Sequence, residues 1–213
     1  MPITEELRQG PGERGASEVR TLSELNTLIS RADPMLTAPT HPVLGEGPVG
    51  AELALVGEQP GHQEDLQGRP FVGPAGQLLD RALAEAGIER DRTYLTNAVK
   101  HFKFEERGKR RIHKKPTAGE VRHYRWWLRR ELELVHPRVV VALGATAVLA
   151  ITGDPRPIGQ FRGPAELDGH RGYITVHPAY LLRLPDREER HRAFQEFVSD
   201  LKRAHSLSQH VKR

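Results

Sequence analysis

The feature that most constrains this chain is a short apolar run that closes on glycine or a polar turn and then gives way to a helix-length segment. Glu52-Leu-Ala-Leu-Val-Gly57 and Arg138-Val-Val-Val-Ala-Leu-Gly144 show it most clearly. Apolar runs without polar alternation mark strands buried on both faces, as in parallel sheets. Thr93-Tyr-Leu-Thr-Asn-Ala-Val99 and Tyr173-Ile-Thr-Val-His177 read as two further strands. The segments between them read as helices. Pro74 to Gly87 has proline near its start and glycine at its end. A helix from Thr117 to about Val135 opens with a capping box, Thr117-Ala-Gly-Glu120. A short helix spans Ala145 to Ile151, and Arg187 to Arg203 closes the chain with a stripe of Phe194, Phe197, Val198 and Leu201. The alternation predicts an α/β fold: a three-layer α/β/α sandwich around a four-stranded, mainly parallel sheet.

At about 150 residues per domain, 213 residues make one domain with extensions. Residues 1–20, with Gly10, Pro11, Gly12 and Gly15 among charges, read as a disordered lead-in; 21–205 read as the single domain and 206–213 as a flexible tail. A short amphipathic helix carries Leu22, Leu25, Leu28 and Ile29, capped by Thr21 or Ser23. Residues 33–50 hold too many prolines and glycines for a helix. Glu58 to Gly73 and residues 100–116 read as loops.

Composition narrows the function. No stretch approaches the roughly 18 apolar residues of a membrane span. The polar N-terminus has no hydrophobic targeting core, so the expectation is a cytoplasmic protein. Cysteine is absent, which removes disulfides, cysteine nucleophiles and cysteine-held metal. The net charge is +4, unevenly spread. Residues 100–130 hold twelve Lys or Arg against three Glu, a net +9, so the rest of the chain carries −5. A basic segment on an acidic body points to a polyanion; its plainer reading is a solvated charged helix and loop.

In doubly wound sheets ligands sit beyond the carboxyl ends of the strands. Gly57-Glu58-Gln59-Pro60-Gly61 follows the first strand, Asn97 ends the second, and His177-Pro178 follows the fourth. A bare Gly-Glu-Gln-Pro-Gly is otherwise a generic turn. Phe71, in Gly68-Arg-Pro-Phe-Val-Gly-Pro-Ala-Gly76, suits stacking on a flat ring or plugging the core. Asn97 offers one donor and one acceptor, matching a pyrimidine edge. His113 lies among Lys109, Arg110, Arg111, Lys114 and Lys115, whose like charges disfavour its protonation. A neutral imidazole is a nucleophile or a base. The spacing of His101, His113 and His123 fits no standard zinc pattern. No phosphate-binding glycine loop occurs.

Five ordered segments carry a resemblance: Gly57-Glu-Gln-Pro-Gly-His-Gln-Glu-Asp65, Pro70-Phe-Val-Gly-Pro-Ala-Gly76, Thr96-Asn-Ala-Val-Lys-His-Phe-Lys-Phe104, Gly108-Lys-Arg-Arg-Ile-His113 and Val176-His-Pro-Ala-Tyr-Leu-Leu-Arg183. From about Glu52 to Ala204 the chain resembles the uracil-DNA glycosylase superfamily, in its family-four-like part. The Lys109-to-His113 segment resembles the mark of the UdgX branch. The resemblance implies an enzyme that takes flipped-out uracil from DNA, single-stranded by preference. In that branch the loop histidine bonds to the sugar and the protein stays attached.

Residue by residue, the resemblance puts Glu58, Gln59, His113 and His177 in catalysis, with His113 as nucleophile. It puts Gly57, Asp65, Phe71 and Asn97 against uracil, and Lys109, Arg110, Arg111, Lys114 and Arg183 on the DNA backbone. It further implies a monomer at the bacterial nucleoid in the cytoplasm. Relatives usually carry a four-iron cluster held mainly by cysteines; with no cysteine here, the expectation is no cofactor and no metal, and what ties residues 21–50 to the body stays open. Two other readings remain: a conventional glycosylase that turns over, and a non-enzymatic binder of uracil-containing single strands.

Overall fold

The computed structural model describes residues 19–32 and 40–209. A five-stranded sheet runs in the order β2-β1-β5-β7-β6, from β1 (Leu53–Gly57), β2 (Thr93–Asn97), β5 (Val139–Leu143), β6 (Gly163–Leu167) and β7 (His170–Thr175). The four strands expected from sequence are the four parallel ones. The fifth, β6, extends the sheet as an antiparallel edge on β7.

Every residue of β1, β2 and β5 is buried. Alternate side chains explain why. Ala54, Val56, Val140 and Ala142 face one apolar layer, and Leu53, Leu55, Val139 and Val141 face the other. The first layer is closed by α1 (Leu22–Arg31), α4 (Ala118–Val135) and α5 (Ala145–Thr152), through Leu25, Ile29, Tyr124, Leu128 and Val148. The second is closed by α3 (Pro74–Ala86) and α8 (Arg187–Gln209), through Leu79, Leu83, Phe194, Phe197 and Leu201. Together they make the expected three layers.

Local chemistry sets the helix ends. Thr117 Oγ1 accepts from the Glu120 amide at 3.2 Å, and Glu120 Oε2 accepts from the Thr117 amide at 2.6 Å. Thr21, rather than Ser23, caps α1 through the same box with Glu24. Pro74 opens α3, and Gly87 closes it in the left-handed region at φ 72°.

Ordinary packing ties the described parts of residues 21–50, namely 21–32 and 40–50, to the body, and residues 33–39 lie outside the described residues. Leu25 and Ile29 are fully buried, Glu46 and Leu95 exchange backbone hydrogen bonds at 2.9 and 2.8 Å, and the Val43 amide donates to the Lys100 carbonyl at 2.8 Å.

Beyond β6, several local differences from the sequence reading appear. The 58–73 loop contains α2 (His62–Gln67). The basic segment is an antiparallel hairpin of β3 (Phe104–Arg107) and β4 (Arg110–His113) rather than a loop. The closing helix continues to Gln209 with Ser208 buried, so the tail expected from 206 begins no earlier than 210, which lies outside the described residues. The disordered lead-in expected over 1–20 lies outside them too, except that Val19 is buried and its carbonyl accepts from Arg130, while Arg20 is exposed. A short α6 (Ile158–Phe161) leads into β6, and α7 (Pro178–Arg183) follows β7. Among the described residues no helix is long and apolar enough to cross a membrane.

Candidate active site

The chain leaves β1 for β2 on one side and reaches β5 on the other, so a crevice opens between the ends of β1 and β5. Glu58 stands there. Thr146, in the first turn of α5, donates to Glu58 Oε2 at 2.6 Å and bridges the crevice. A cavity of about 550 Å³ opens beside Glu58, walled by Gly144, Thr146, His177, Tyr180 and Arg183. It is within the ordinary size of a ligand site.

Gly57, Phe71 and Asn97 meet beside this turn. Gly57 and Asn97 are register partners on β1 and β2. A Cβ on Gly57 would come closer than 3.0 Å to both the Asn97 side-chain oxygen and the Phe71 ring, so only glycine lets the two groups converge. Phe71 is held in the left-handed region at φ 55°, uncommon for a bulky residue. The missing side chain of Gly76 makes room for its carbonyl. Glu64 shapes this loop from within, accepting from the Gly61 amide at 3.0 Å and the Gly73 amide at 2.7 Å. Asn97 is buried at the mouth of β2, and the Phe71 ring lies 6.3 Å from that of His177, inclined by 28°.

His177 caps α7. Its Nδ1 accepts from the Ala179 amide at 3.2 Å, so in the neutral ring the proton sits on Nε2. Burial pushes its pKa down to about 4, against the pull of Glu58, with Arg183 adding to the depression. His177 is therefore a neutral donor at pH 7.

His113 ends β4 with its side chain 49% exposed, and its Nε2 lies 3.6 Å from Glu58 Oε1. Its ring leans on Phe102, 6.2 Å away. Its pKa is lowered, as the sequence reading required, but chiefly by burial and then by Arg183, while Glu58 opposes. The hairpin cations are not the main cause: Arg111, two residues away on the same strand, is turned to Asp65.

Gln59 faces away from the cavity. Its Nε2 donates to the Lys103 and Lys114 carbonyls, both at 3.1 Å, and its Oε1 accepts from the Lys103 amide at 3.3 Å. It clamps the two ends of the hairpin rather than touching a reacting group. Asp65, expected beside the base, is held instead by Arg111, whose Nη1 donates to Oδ2 at 2.5 Å. Arg111, expected on the DNA backbone, turns inward: it also donates to His62 Nδ1 at 3.0 Å and lies over the Phe102 and Phe104 rings at 5.4 and 5.0 Å. A guanidinium so engaged has little left for a phosphate. Lys109, Arg110 and Lys114 are exposed on the hairpin, and Arg183 is exposed at the cavity rim.

Thr146, Glu64 and Phe102 were not expected at the site. Thr146 had a signal: it follows the carboxyl end of β5, where the same sheet rule places ligands. Glu64 and Phe102 lie in stretches read from sequence as loops, though both fall inside the segments quoted for the resemblance, Gly57 to Asp65 and Thr96 to Phe104.

A family model described as the uracil DNA glycosylase superfamily matches residues 44–202. The chain belongs to that superfamily. It is similar to the Type-4 uracil-DNA glycosylase of Thermotoga maritima, 38% identical over 179 residues, covering 80% of this chain and 90% of the relative. The Type-4 uracil-DNA glycosylase of Archaeoglobus fulgidus is 35% identical over 177 residues, covering 79% and 82%. The Type-5 uracil-DNA glycosylase of Pyrobaculum aerophilum is 35% identical over 159 residues, covering 66% and 67%. The residues of this superfamily member do not fit a cysteine-held cluster, since the chain has no cysteine. Among the described residues no group of three or more His, Asp or Glu is arranged to hold a metal ion.

Proposed function

We propose that the protein removes uracil from DNA and ends bound to the deoxyribose through His113, as expected of the UdgX branch. The observation that carries this reading is the pairing of His113 with Glu58 at 3.6 Å, Glu58 sharing its cavity with His177.

The glycosidic bond breaks with positive character growing at C1′ while uracil departs as an anion. His177 Nε2–H and the Asn97 amide donate to that anion, whose charge appears only in the transition state. Phe71 stacks on the base, and Gly57 leaves the space for it. A lone pair of the His113 ring forms the bond to C1′ as the bond to uracil N1 breaks. The imidazolium so formed stands beside the Glu58 carboxylate, which offsets its charge and accepts its N–H proton. Thr146 keeps that carboxylate turned to the site. Lys109, Arg110, Lys114 and Arg183 contact phosphates. Single-stranded DNA is the preferred substrate because flipping a base costs least there. The acting unit is a monomer at the bacterial nucleoid, in the cytoplasm.

The test is incubation with a uracil-containing oligonucleotide and a denaturing gel. A protein band shifted by the mass of the DNA, mapped to the 109–115 peptide, is the expected result. Free abasic DNA without a shifted band means a turnover enzyme, and neither product means a binder only.

A further inference from the structure

A lysine fully enclosed in protein lies one short turn from Asn97, and the chemistry proposed above leaves it unused. Lys100 and Glu131 are both 0% exposed and form an ion pair at 2.5 Å. Removing both charges from water is costly, and a buried pair of this kind is often replaceable by apolar residues without loss of stability. Stability alone is thus a weak reason for it.

We infer that the buried Lys100–Glu131 pair is a positioning device that fixes the strand end carrying Asn97 against the Glu58 turn. The inference rests on the reading of Asn97 as the uracil contact. Three acceptors meet the three protons of Lys100 Nζ: Glu131 Oε2, Thr96 Oγ1 at 2.6 Å and the Asn97 carbonyl at 3.0 Å. The ammonium therefore closes the turn from Asn97 to Lys100 and holds the peptide of Asn97 itself. The same turn is pinned from its other side, where the Ala98 and Val99 amides donate to the Gly57 and Glu58 carbonyls, both at 3.0 Å.

Glu131, on α4, anchors the arrangement to the core. It also accepts from Tyr94 at 2.9 Å and from Thr96 at 3.1 Å. Burial and this carboxylate hold the Tyr94 phenol protonated, so it remains a donor. Lys100 and Glu131 touch no substrate; they act through Asn97.

The experiment compares the native chain with Lys100→Met/Glu131→Gln, which removes both charges at similar volume. Uracil release or capture is timed at saturating uracil oligonucleotide, alongside half-saturation and thermal melting. Expected are a half-saturation close to native and a maximal rate lower by about tenfold. Adding Asn97→Ala to that variant should cost only about tenfold, although it costs about a hundredfold in the native chain, because groups acting as a unit are non-additive. A maximal rate within twofold of native, or an undiminished effect of Asn97→Ala, overturns the inference. Should the double variant not fold, Thr96→Val keeps both charges, removes the hydroxyl between them, and should show the same split between rate and half-saturation; a native rate in that variant is equally fatal. A native chain that neither releases nor captures uracil overturns the reading of the site and this inference with it. A native chain that acts, with variants acting as well, overturns this inference alone.

Discussion

His177 takes its character from two neighbours. The Ala179 amide occupies Nδ1, and burial keeps a second proton off the ring, with a pKa of about 4. An unfolded histidine takes up its proton near pH 6.5, so between pH 6.5 and 4 the unfolded state holds more protons and stability falls as pH falls. The loss approaches about 3 kcal/mol below pH 4. His113 is shifted in the same direction and acts in the same sense. Urea unfolding should show a lower midpoint at pH 5 than at pH 7.5. His177→Asn, which keeps an acceptor for Ala179 and cannot titrate, should reduce that difference; an equal pH response in native and variant would assign it to other groups. For His113 the expectation concerns product. His113→Ala should abolish the adduct. His113→Ser leaves room for water at C1′ while Asn97 and His177 still serve the leaving base, so it should release uracil and leave abasic DNA. Intact-protein mass after incubation decides both, and an adduct surviving in His113→Ala would remove His113 from the nucleophile's role.

Among the elements, the β3–β4 hairpin decides where His113 stands, and Gln59 decides where the hairpin stands. One amide side chain holds both hairpin ends, next to the carboxylate that His113 faces. Gln59→Ala should speed hydrogen exchange at 104–113 and slow adduct formation by about tenfold, since small displacements of a reacting group cost rate steeply. Unchanged exchange would show that Arg111 on Asp65 suffices. The hairpin was not legible in the sequence: Phe-Glu-Glu-Arg and Arg-Arg-Ile-His are four-residue strands with little apolar alternation. Strand β6 hid for a related reason. Its Pro164 argues against a central strand but is tolerated at an edge, where no second partner needs its amide. The parallel strands and the capped helices were legible because their signals are local. Asn97, Glu58 and His177 were legible because the sheet rule sends strand ends to one edge. The inward turn of Arg111, the clamp by Gln59 and the burial of Lys100 were not, since each depends on a partner far along the chain.

At the scale of the molecule, the proposed function makes charge separation the term that should govern the encounter with DNA. The basic segment of net +9 stands against −5 elsewhere, and part of that +9 is met by carboxylates from outside the segment: Lys100 by Glu131 and Arg111 by Asp65. Lys109, Arg110 and Lys114 at the hairpin, with Arg183 at the cavity rim, remain exposed and able to meet phosphates. Each phosphate contact on a single strand adds about 0.7 to the slope of log affinity against log salt, through counterion release. Replacing Lys109, Arg110 and Lys114 together by Gln should therefore lower the slope by about 2, if each makes one contact. Arg111→Lys should change the slope little, because that side chain faces Asp65, yet it should slow capture by loosening the hairpin. Titrating a uracil-free single strand of the same length as the uracil oligonucleotide, from which no base can be released, isolates the binding term. An unchanged slope in the triple variant would route the DNA away from the hairpin, and a slope lowered by Arg111→Lys as much as by an exposed cation would mean that its guanidinium swings out to the phosphates when DNA arrives.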